Sequence, residues 1–167
     1  MSLDLPGIFA SAKELTSAPE WAAADMHRLS FLVELESGGY VPEGLQLRGS
    51  ALKDIPDRNI MFQLEIHRAG RNLIQLARFC WMPLQAHVNR KGPPGLKGKL
   101  IRDSHCHHFH LNFVEDENRM RSGNLSVADN LESQPSDFTT AVKMMGQLFN
   151  IHNADIIQPP DWQGVLV

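Results

Sequence analysis

A chain of 167 residues with 43% hydrophobic and 21% charged side chains has the size and composition of one globular domain. This composition excludes a disordered or coiled-coil chain, and a net charge of −3 excludes bulk attraction to nucleic acid or to membranes. Two cysteines are too few for a disulfide framework, and no apolar run approaches the roughly 18 residues of a membrane span. We therefore expect one cytoplasmic domain over residues 1–167, without a signal peptide or a membrane partner.

The first 25 residues predict short helices. Asp4 can cap a first helical turn that has Pro6 just inside it. Residues 17–20, Ser-Ala-Pro-Glu, have the spacing of a capping box directly before Trp21. We expect residues 1–25 to form a helical segment at the edge of a sheet.

Alternating apolar and polar residues predict an antiparallel sheet over residues 26–130. The clearest strand alternates from Ile60 to Ile66, so that one face is apolar and the other polar. We expect an α+β fold with a sheet of about five strands. The predicted strands are 28–36, 45–52, 59–68, 73–82 and 105–114, with a short returning strand near 119–127.

A C-terminal amphipathic helix is predicted over residues 135–151. Its apolar residues fall three or four positions apart and form one stripe, which favours packing on the apolar face of the sheet. The stripe comprises Phe138, Ala141, Val142, Met145, Leu148 and Phe149.

Residues 83–104 predict a long irregular loop, because Pro93, Pro94 and three glycines disfavour regular structure. The stretch from Ile66 to Arg102 contains no acidic residue and holds eight of the sixteen basic residues. Such asymmetry indicates an anionic partner, for example RNA, although a solvated surface with segregated charges explains it equally well. The candidate substrate-binding residues are Arg90, Lys91, Lys97 and Lys99.

Four of the eight histidines lie within residues 105–110. If this segment is a strand, its side chains alternate, and Phe109 marks the apolar face. His108 and His110 then share the polar face, at a spacing suited to metal binding or proton transfer. Solvated or hydrogen-bonded histidines without a function remain the alternative. Residues of neighbouring strands that can join them are Glu65, His67, Arg78 and Cys80.

Three short motifs resemble a group of small uncharacterised bacterial proteins that occur with prophages and beside toxin–antitoxin genes. The motifs are Leu-Ala-Arg-Phe at 76–79, Ala-His-Val-Asn at 86–89 and His-Phe-His-Leu-Asn at 108–112. The TumE-like toxins share the arginine, the loop histidine and the H-x-H pair in this order. The resemblance spans about residues 60–152, and it implies Arg78, His87, His108 and His110 as site residues and a cognate antitoxin as partner.

This chain departs from the pattern in three places. Cys80 stands where an aspartate usually follows the arginine strand, and Ala86 replaces a proline before the loop histidine. The loop rich in glycine, proline and lysine is also longer. The first departure removes a carboxylate from the implied site.

These observations leave three functions open. The leading hypothesis is a metal-independent ribonuclease without a cofactor, in which His108, His110 and His87 transfer protons and Arg78 stabilises phosphate charge. The first alternative is a divalent transition-metal site, cupin-like or hydrolytic, with His108, His110 and Glu115 as ligands and His67 or His87 as further candidates. The second is a non-enzymatic module that binds nucleic acid or protein, with an exposed patch around Trp81 and Met82.

Overall fold

The computed structural model describes residues 3–115, 120 and 125–162. Over these residues the fold is α+β, as predicted, with an antiparallel main sheet. That sheet has eight strands in the described chain, more than the five or so expected. The strands are β1 (Glu14–Leu15), β2 (Ala22–Ala23), β3 (Arg28–Glu36), β4 (Leu45–Leu52), β5 (Ile60–Ile66), β6 (Ile74–Trp81), β9 (His105–His107) and β10 (Asp129–Asn130).

The remaining elements are short, apart from one helix. Strands β7 (His87–Val88) and β8 (Leu100–Ile101) form a separate two-stranded sheet. The helices that lie wholly within the described residues are α1 (Leu5–Ala10), α2 (Phe109–Asn112) and α3 (Phe138–Phe149), and a 3₁₀ turn follows at Ala154–Ile156. None of the described helices has the length and apolar character needed to cross a membrane.

The main sheet runs in the order β1–β3–β4–β5–β6–β9–β10, and β2 pairs with β3 beside β1. The predictions for β3 and β4 are confirmed to the residue, and β5 and β6 are slightly shorter than predicted. Alternation succeeds here because one face of every central strand is buried. On that face Leu47, Phe62 and Phe79 are fully buried, so the core lies between this face and α3.

Helix α3 covers the apolar face as predicted. The Asp137 side chain caps it by accepting a hydrogen bond from the Thr140 backbone N–H at 2.7 Å. Its first residue, Phe138, meets the rings of Phe62 and Trp81, with centroids 6.3 Å away in each case. Five residues of the predicted stripe are buried and Leu148 is partly buried.

The prediction of a helical segment over residues 1–25 is only partly correct. Asp4 does cap α1, accepting from the Gly7 N–H at 3.0 Å, but the capping-box segment that follows is not helical. Instead β2 extends along β3, and the Trp21 ring packs edge-on against Phe31 at 4.7 Å. Packing of the indole and pairing with the sheet edge together outweigh the local capping preference.

Lys13 joins this N-terminal segment to the end of α3. Its buried ammonium donates to the carbonyl oxygens of Phe9, Ser11 and Phe149, at 2.6, 2.7 and 3.0 Å. Burial lowers the pKa of Lys13 to about 8, so the group stays charged at neutral pH. A cation at the C-terminal end of a helix also interacts favourably with its exposed carbonyl groups.

The prediction of an irregular loop over 83–104 is wrong in part, because β7 and β8 form a hairpin there. The fully buried Asn89 side chain organises it, donating to Leu96 O at 3.1 Å and Ala128 O at 2.8 Å. The same amide accepts from the Ala128 N–H at 2.9 Å. Gly98, at φ +82°, places its N–H on Asn89 O at 2.7 Å. One side-chain amide therefore provides order that composition alone does not reveal.

The predicted strand over 105–114 is also wrong beyond His107, where β9 ends and α2 begins. Strand β6 has an extra residue, Leu76, because Gln75 pairs with Glu65 while Ala77 pairs with Leu64. If the β6–β9 register were extended, this bulge would fall opposite Phe109, just beyond the last pair of the ladder, Arg78 with His107. Phe109 turns instead to stack on Phe9, with ring centroids 4.7 Å apart.

The predicted returning strand near 119–127 falls largely outside the described residues. Within them, residues 125–127 are not a strand. The partner that β9 gains on this side is β10, through Asp129 opposite Cys106 and Asn130 opposite His105.

Candidate metal site

Four side chains form a compact group on the polar face of the sheet. In the antiparallel register Arg78 lies opposite His107, and Cys80 lies opposite His105. Directly paired residues of antiparallel strands point to the same face, with neighbouring Cβ atoms about 4.5–5.5 Å apart. The strand register alone therefore brings Arg78, Cys80, His105 and His107 together, and we refer to these four residues as the quartet.

Three members of the quartet present metal-ligating atoms to one another. The Cys80 Sγ and one ring nitrogen each of His105 and His107 all lie within 4.8 Å of one another. Within residues 3–115, 120 and 125–162 this is the one such group of three or more. Ligand atoms around a tetrahedral zinc ion are roughly 3.3–3.6 Å apart, so small side-chain rotations close the arrangement.

Hydrogen bonds fix which nitrogen each histidine offers. His105 Nδ1 lies 2.9 Å from Asp103 O, and His107 Nδ1 lies 2.6 Å from Leu125 O. A carbonyl oxygen only accepts, so each Nδ1 carries the hydrogen and each Nε2 keeps its lone pair. Metal-ligating histidines in proteins are oriented by bonds of this kind.

Burial keeps these groups uncharged. It lowers the pKa of His107 to about 3, and the charges of His105, Arg78 and His87 add to the effect. The pKa of His105 is lowered as well, first by burial. Burial raises the pKa of the Cys80 thiol to about 11, against the opposing influence of Arg78. At neutral pH the quartet holds two neutral imidazoles and a thiol.

His87, on β7, adds a third imidazole. Its ring centroid lies 4.7 Å from that of His107 and 5.9 Å from that of His105. Its Nε2 donates to Asn89 Oδ1 at 3.0 Å and to Ser126 O at 3.1 Å, which leaves the lone pair on Nδ1. The loop histidine of the sequence motif therefore lies beside the quartet.

Arg78 carries a charge without an acidic partner in the described chain. Its Nε and Nη2 donate to Gln63 Oε1 at 3.1 and 3.0 Å, and Nη2 also donates to Gln75 Oε1 at 2.9 Å. The bulge in β6 makes the last contact possible, because it turns Gln75 rather than Leu76 to the polar face. No described carboxylate forms an ion pair with Arg78.

Glu65 holds the neighbouring polar side chains in place. Its carboxylate is fully buried and accepts from Arg48 Nη2 at 2.7 Å and Arg48 Nε at 3.1 Å. It also accepts from Gln46 Nε2 at 2.7 Å and Gln63 Nε2 at 2.6 Å. Because Gln63 in turn holds Arg78, this carboxylate anchors the arginine of the quartet through one intervening amide.

The structure does not place His108 and His110 with the quartet. Their rings lie 5.3 Å from each other, and neither makes a ring contact with His87, His105 or His107, all described residues. Burial lowers the pKa of His108, with His110 adding to this and Asp129 opposing it. Glu115 is exposed and belongs to no group of potential metal ligands in the described chain.

The parity predicted for this strand is wrong, because it depends on Phe109 marking the apolar face. Phe109 lies in α2, whereas the residue of β9 that enters the core is Cys106, which is 1% exposed and pairs with Phe79. His105 and His107 then face the polar side. The signal that could have found them is the same two-residue spacing, read three positions earlier, at His105 and His107.

The basic residues of the loop differ in their surroundings. Arg90, Lys91 and Lys97 are exposed, whereas Lys99 forms an ion pair with Asp129 at 3.0 Å. The stretch that lacks acidic residues in sequence is therefore partly neutralised in space, and Lys99 is less available to a substrate than predicted.

Three further candidates lie apart from the quartet. His67 is exposed in the turn after β5. Trp81 is buried, and its Nε1 donates to Pro135 O at 3.1 Å. Of Trp81 and Met82, the two residues of the expected exposed patch, Met82 is the exposed one. A cavity of about 750 Å³ runs along α3 and the segment after it, and no member of the quartet lines it.

One sheet face thus combines a thiol, two imidazoles with oriented lone pairs and a guanidinium that pairs with no described carboxylate, and the third imidazole of His87 lies beside them. No protein-family model, curated protein or solved structure matches this chain.

Proposed function

We propose that this protein is a metal-dependent hydrolase in which Cys80, His105 and His107 hold one divalent transition metal ion, preferentially zinc. The observation that carries the proposal is the convergence of their three ligand atoms within 4.8 Å, with both histidine Nδ1 atoms tied to backbone carbonyls. Thiolate and imidazole ligands favour zinc and its chemical relatives, whereas magnesium and calcium prefer oxygen ligands.

Two features favour a catalytic over a structural site. The described residues supply three converging ligands. Three protein ligands leave one coordination position for water or substrate, whereas structural zinc sites are closed by four. Arg78 and His87, which lie beside the three proposed ligands, are also partly exposed. A metal-binding thiol has to stay reduced, which is why a cytoplasmic location is part of this proposal.

The chain's own residues supply the remaining functions of a hydrolytic site. A bound divalent ion contributes Lewis acidity, which lowers the pKa of water. His87 Nδ1 carries a free lone pair next to the quartet and can accept the proton that water gives up. Arg78 can donate hydrogen bonds to the oxygen on which negative charge develops.

The proposal is tested by removing metal and restoring it. Protein treated with a chelator is expected to be inactive in a screen of generic ester, amide and phosphate substrates. Adding one equivalent of Zn²⁺ or Co²⁺ should restore hydrolysis, and Mg²⁺ should not, because its ligand preference is for oxygen. His27→Ala, a change at an exposed histidine, is the control and should respond as the unaltered protein does. Activity that survives chelation would refute metal dependence.

A second candidate is the metal-independent ribonuclease, with a cognate antitoxin protein as its partner. Arg78 lies beside the histidine rings and pairs with no described carboxylate, which favours this candidate because the set can bind a phosphodiester. In this version His105 and His107 take the places assigned to His108 and His110, and Arg90, Lys91 and Lys97 hold the RNA backbone. RNA cleavage that persists in chelator and is lost in Arg78→Ala would support it over the metal-dependent reaction.

A further inference from the structure

The position of Arg78 beside the proposed ligands identifies a substrate class. We infer that Arg78 and the metal position together bind a dianionic phosphate group, and that the substrates are phosphate monoesters. This inference rests on the metal site proposed above. The observation that carries it is a guanidinium opposite His107 in the strand register, held by two neutral amides and paired with no described carboxylate.

Charge balance favours a dianion. A divalent ion with one thiolate ligand and two neutral imidazoles leaves one positive charge, and Arg78 adds a second. The nearby charges of Arg48 and Glu65 cancel each other, since their side chains form an ion pair at 2.7 Å. A phosphate monoester dianion balances these two charges of the described site, whereas a carboxylate or phosphodiester monoanion leaves one of them uncompensated.

The guanidinium is held in position before any ligand arrives. Its Nε and one Nη already donate to Gln63 and Gln75, so the rotamer is set and the other Nη remains available to a phosphate oxygen. The buried Glu65 holds Gln63 in turn. An arginine that is already ordered loses less conformational entropy when it binds an anion.

The reaction is a balanced hydrolysis. A water oxygen forms a bond to phosphorus, and the P–O ester bond breaks with its electron pair leaving on the ester oxygen. One proton of the water passes to His87 Nδ1, the leaving oxygen takes up a proton from solvent, and His87 then returns its proton to solvent, so that alcohol and inorganic phosphate result. No oxidant or reductant is required.

Inorganic phosphate and two chromogenic esters test the inference. Zinc-loaded protein is titrated calorimetrically with phosphate, and hydrolysis of p-nitrophenyl phosphate is compared with that of bis(p-nitrophenyl) phosphate. Arg78→Gln is expected to keep the zinc stoichiometry of the unaltered protein, to bind phosphate at least about 10-fold more weakly and to lose most monoester hydrolysis. Arg78→Lys, which keeps the charge without the planar fork, should recover part of it. Arg58→Gln, at an exposed site, is the matched control.

For zinc-loaded protein, two results would overturn the inference. Phosphate binding that Arg78→Gln leaves unchanged overturns the inference, and so does a preference for the diester. If the unaltered protein binds no zinc, the proposed function fails on its own, and phosphate is then titrated into metal-free protein. Binding there that Arg78→Gln abolishes supports the anion site, and absence of binding overturns it.

Discussion

Replacing His107 by alanine is expected to lower the affinity for Zn²⁺ by at least about 100-fold. Loss of a residue that only orients a metal ligand lowers metal affinity by about 10–100-fold, and loss of the ligand itself should lower it further. His107 is the best prepared ligand of the quartet, since its Nδ1 lies 2.6 Å from Leu125 O and its ring is buried. Competition against a chromogenic chelator measures the dissociation constant. Cys80→Ser should have an effect of the same order, since it replaces the only sulfur ligand proposed.

Two other histidines provide the comparison. His27→Ala changes an exposed ring, and His110→Ala changes one of the residues first suggested by the sequence. Both variants should bind zinc as tightly as the unaltered protein does. A loss of affinity in His110→Ala, with His107→Ala unaffected, would instead favour the ligand set of His108, His110 and Glu115. Thermal unfolding of each variant without metal separates loss of the site from loss of the fold.

Replacing Glu65 by alanine is expected to lower the free energy of unfolding by about 3 kcal/mol, the smallest value usual when one partner of a buried ion pair is removed. We expect the smallest value because the Arg48 side chain is 36% exposed, so that water can solvate its charge once the fully buried Glu65 carboxylate is gone. The buried amides of Gln46 and Gln63 lose their acceptor, which adds to the cost. Urea denaturation measures the change.

Glu34→Ala is the matched control, since Glu34 lies opposite Gln46 on the other neighbouring strand and is exposed. Its effect should stay within about 0.5 kcal/mol, as is usual for surface substitutions. Equal effects of the two variants would show that the carboxylate does not organise this face. Glu65→Gln is a gentler change, and it should weaken phosphate binding through Gln63 and Arg78 while leaving zinc binding intact.

Alternation along the chain was sufficient to predict β3 to β6, because each of these strands buries one whole face. It was not sufficient for residues 105–114. There the outcome depends on a bulge at Leu76 in a different strand, and on the stacking of Phe109 with Phe9, about one hundred residues away in sequence. Contacts of that kind are invisible to a local pattern.

The sequence named some of the residues that the structure brings together. The resemblance to toxin-like proteins singled out Arg78 and His87, and strand pairing suggested Cys80, all of which lie in or beside the group in space. The sequence favoured His108 and His110 over His105 and His107, which lie three positions earlier, because Phe109 sets the predicted parity of the strand although it lies in α2. Buried Glu65 and its glutamines were not recognised as a unit, since their pairing depends on the sheet register.

The measurement that tests the central claim most directly is X-ray absorption at the zinc edge of protein loaded with one equivalent of Zn²⁺. We expect one sulfur at about 2.3 Å and two imidazole nitrogens at about 2.0–2.1 Å, with a light-atom ligand completing the shell. In Cys80→Ser the sulfur contribution should vanish. A first shell without sulfur in the unaltered protein, or one built from oxygen ligands, would contradict the assignment of Cys80, His105 and His107 as the metal site.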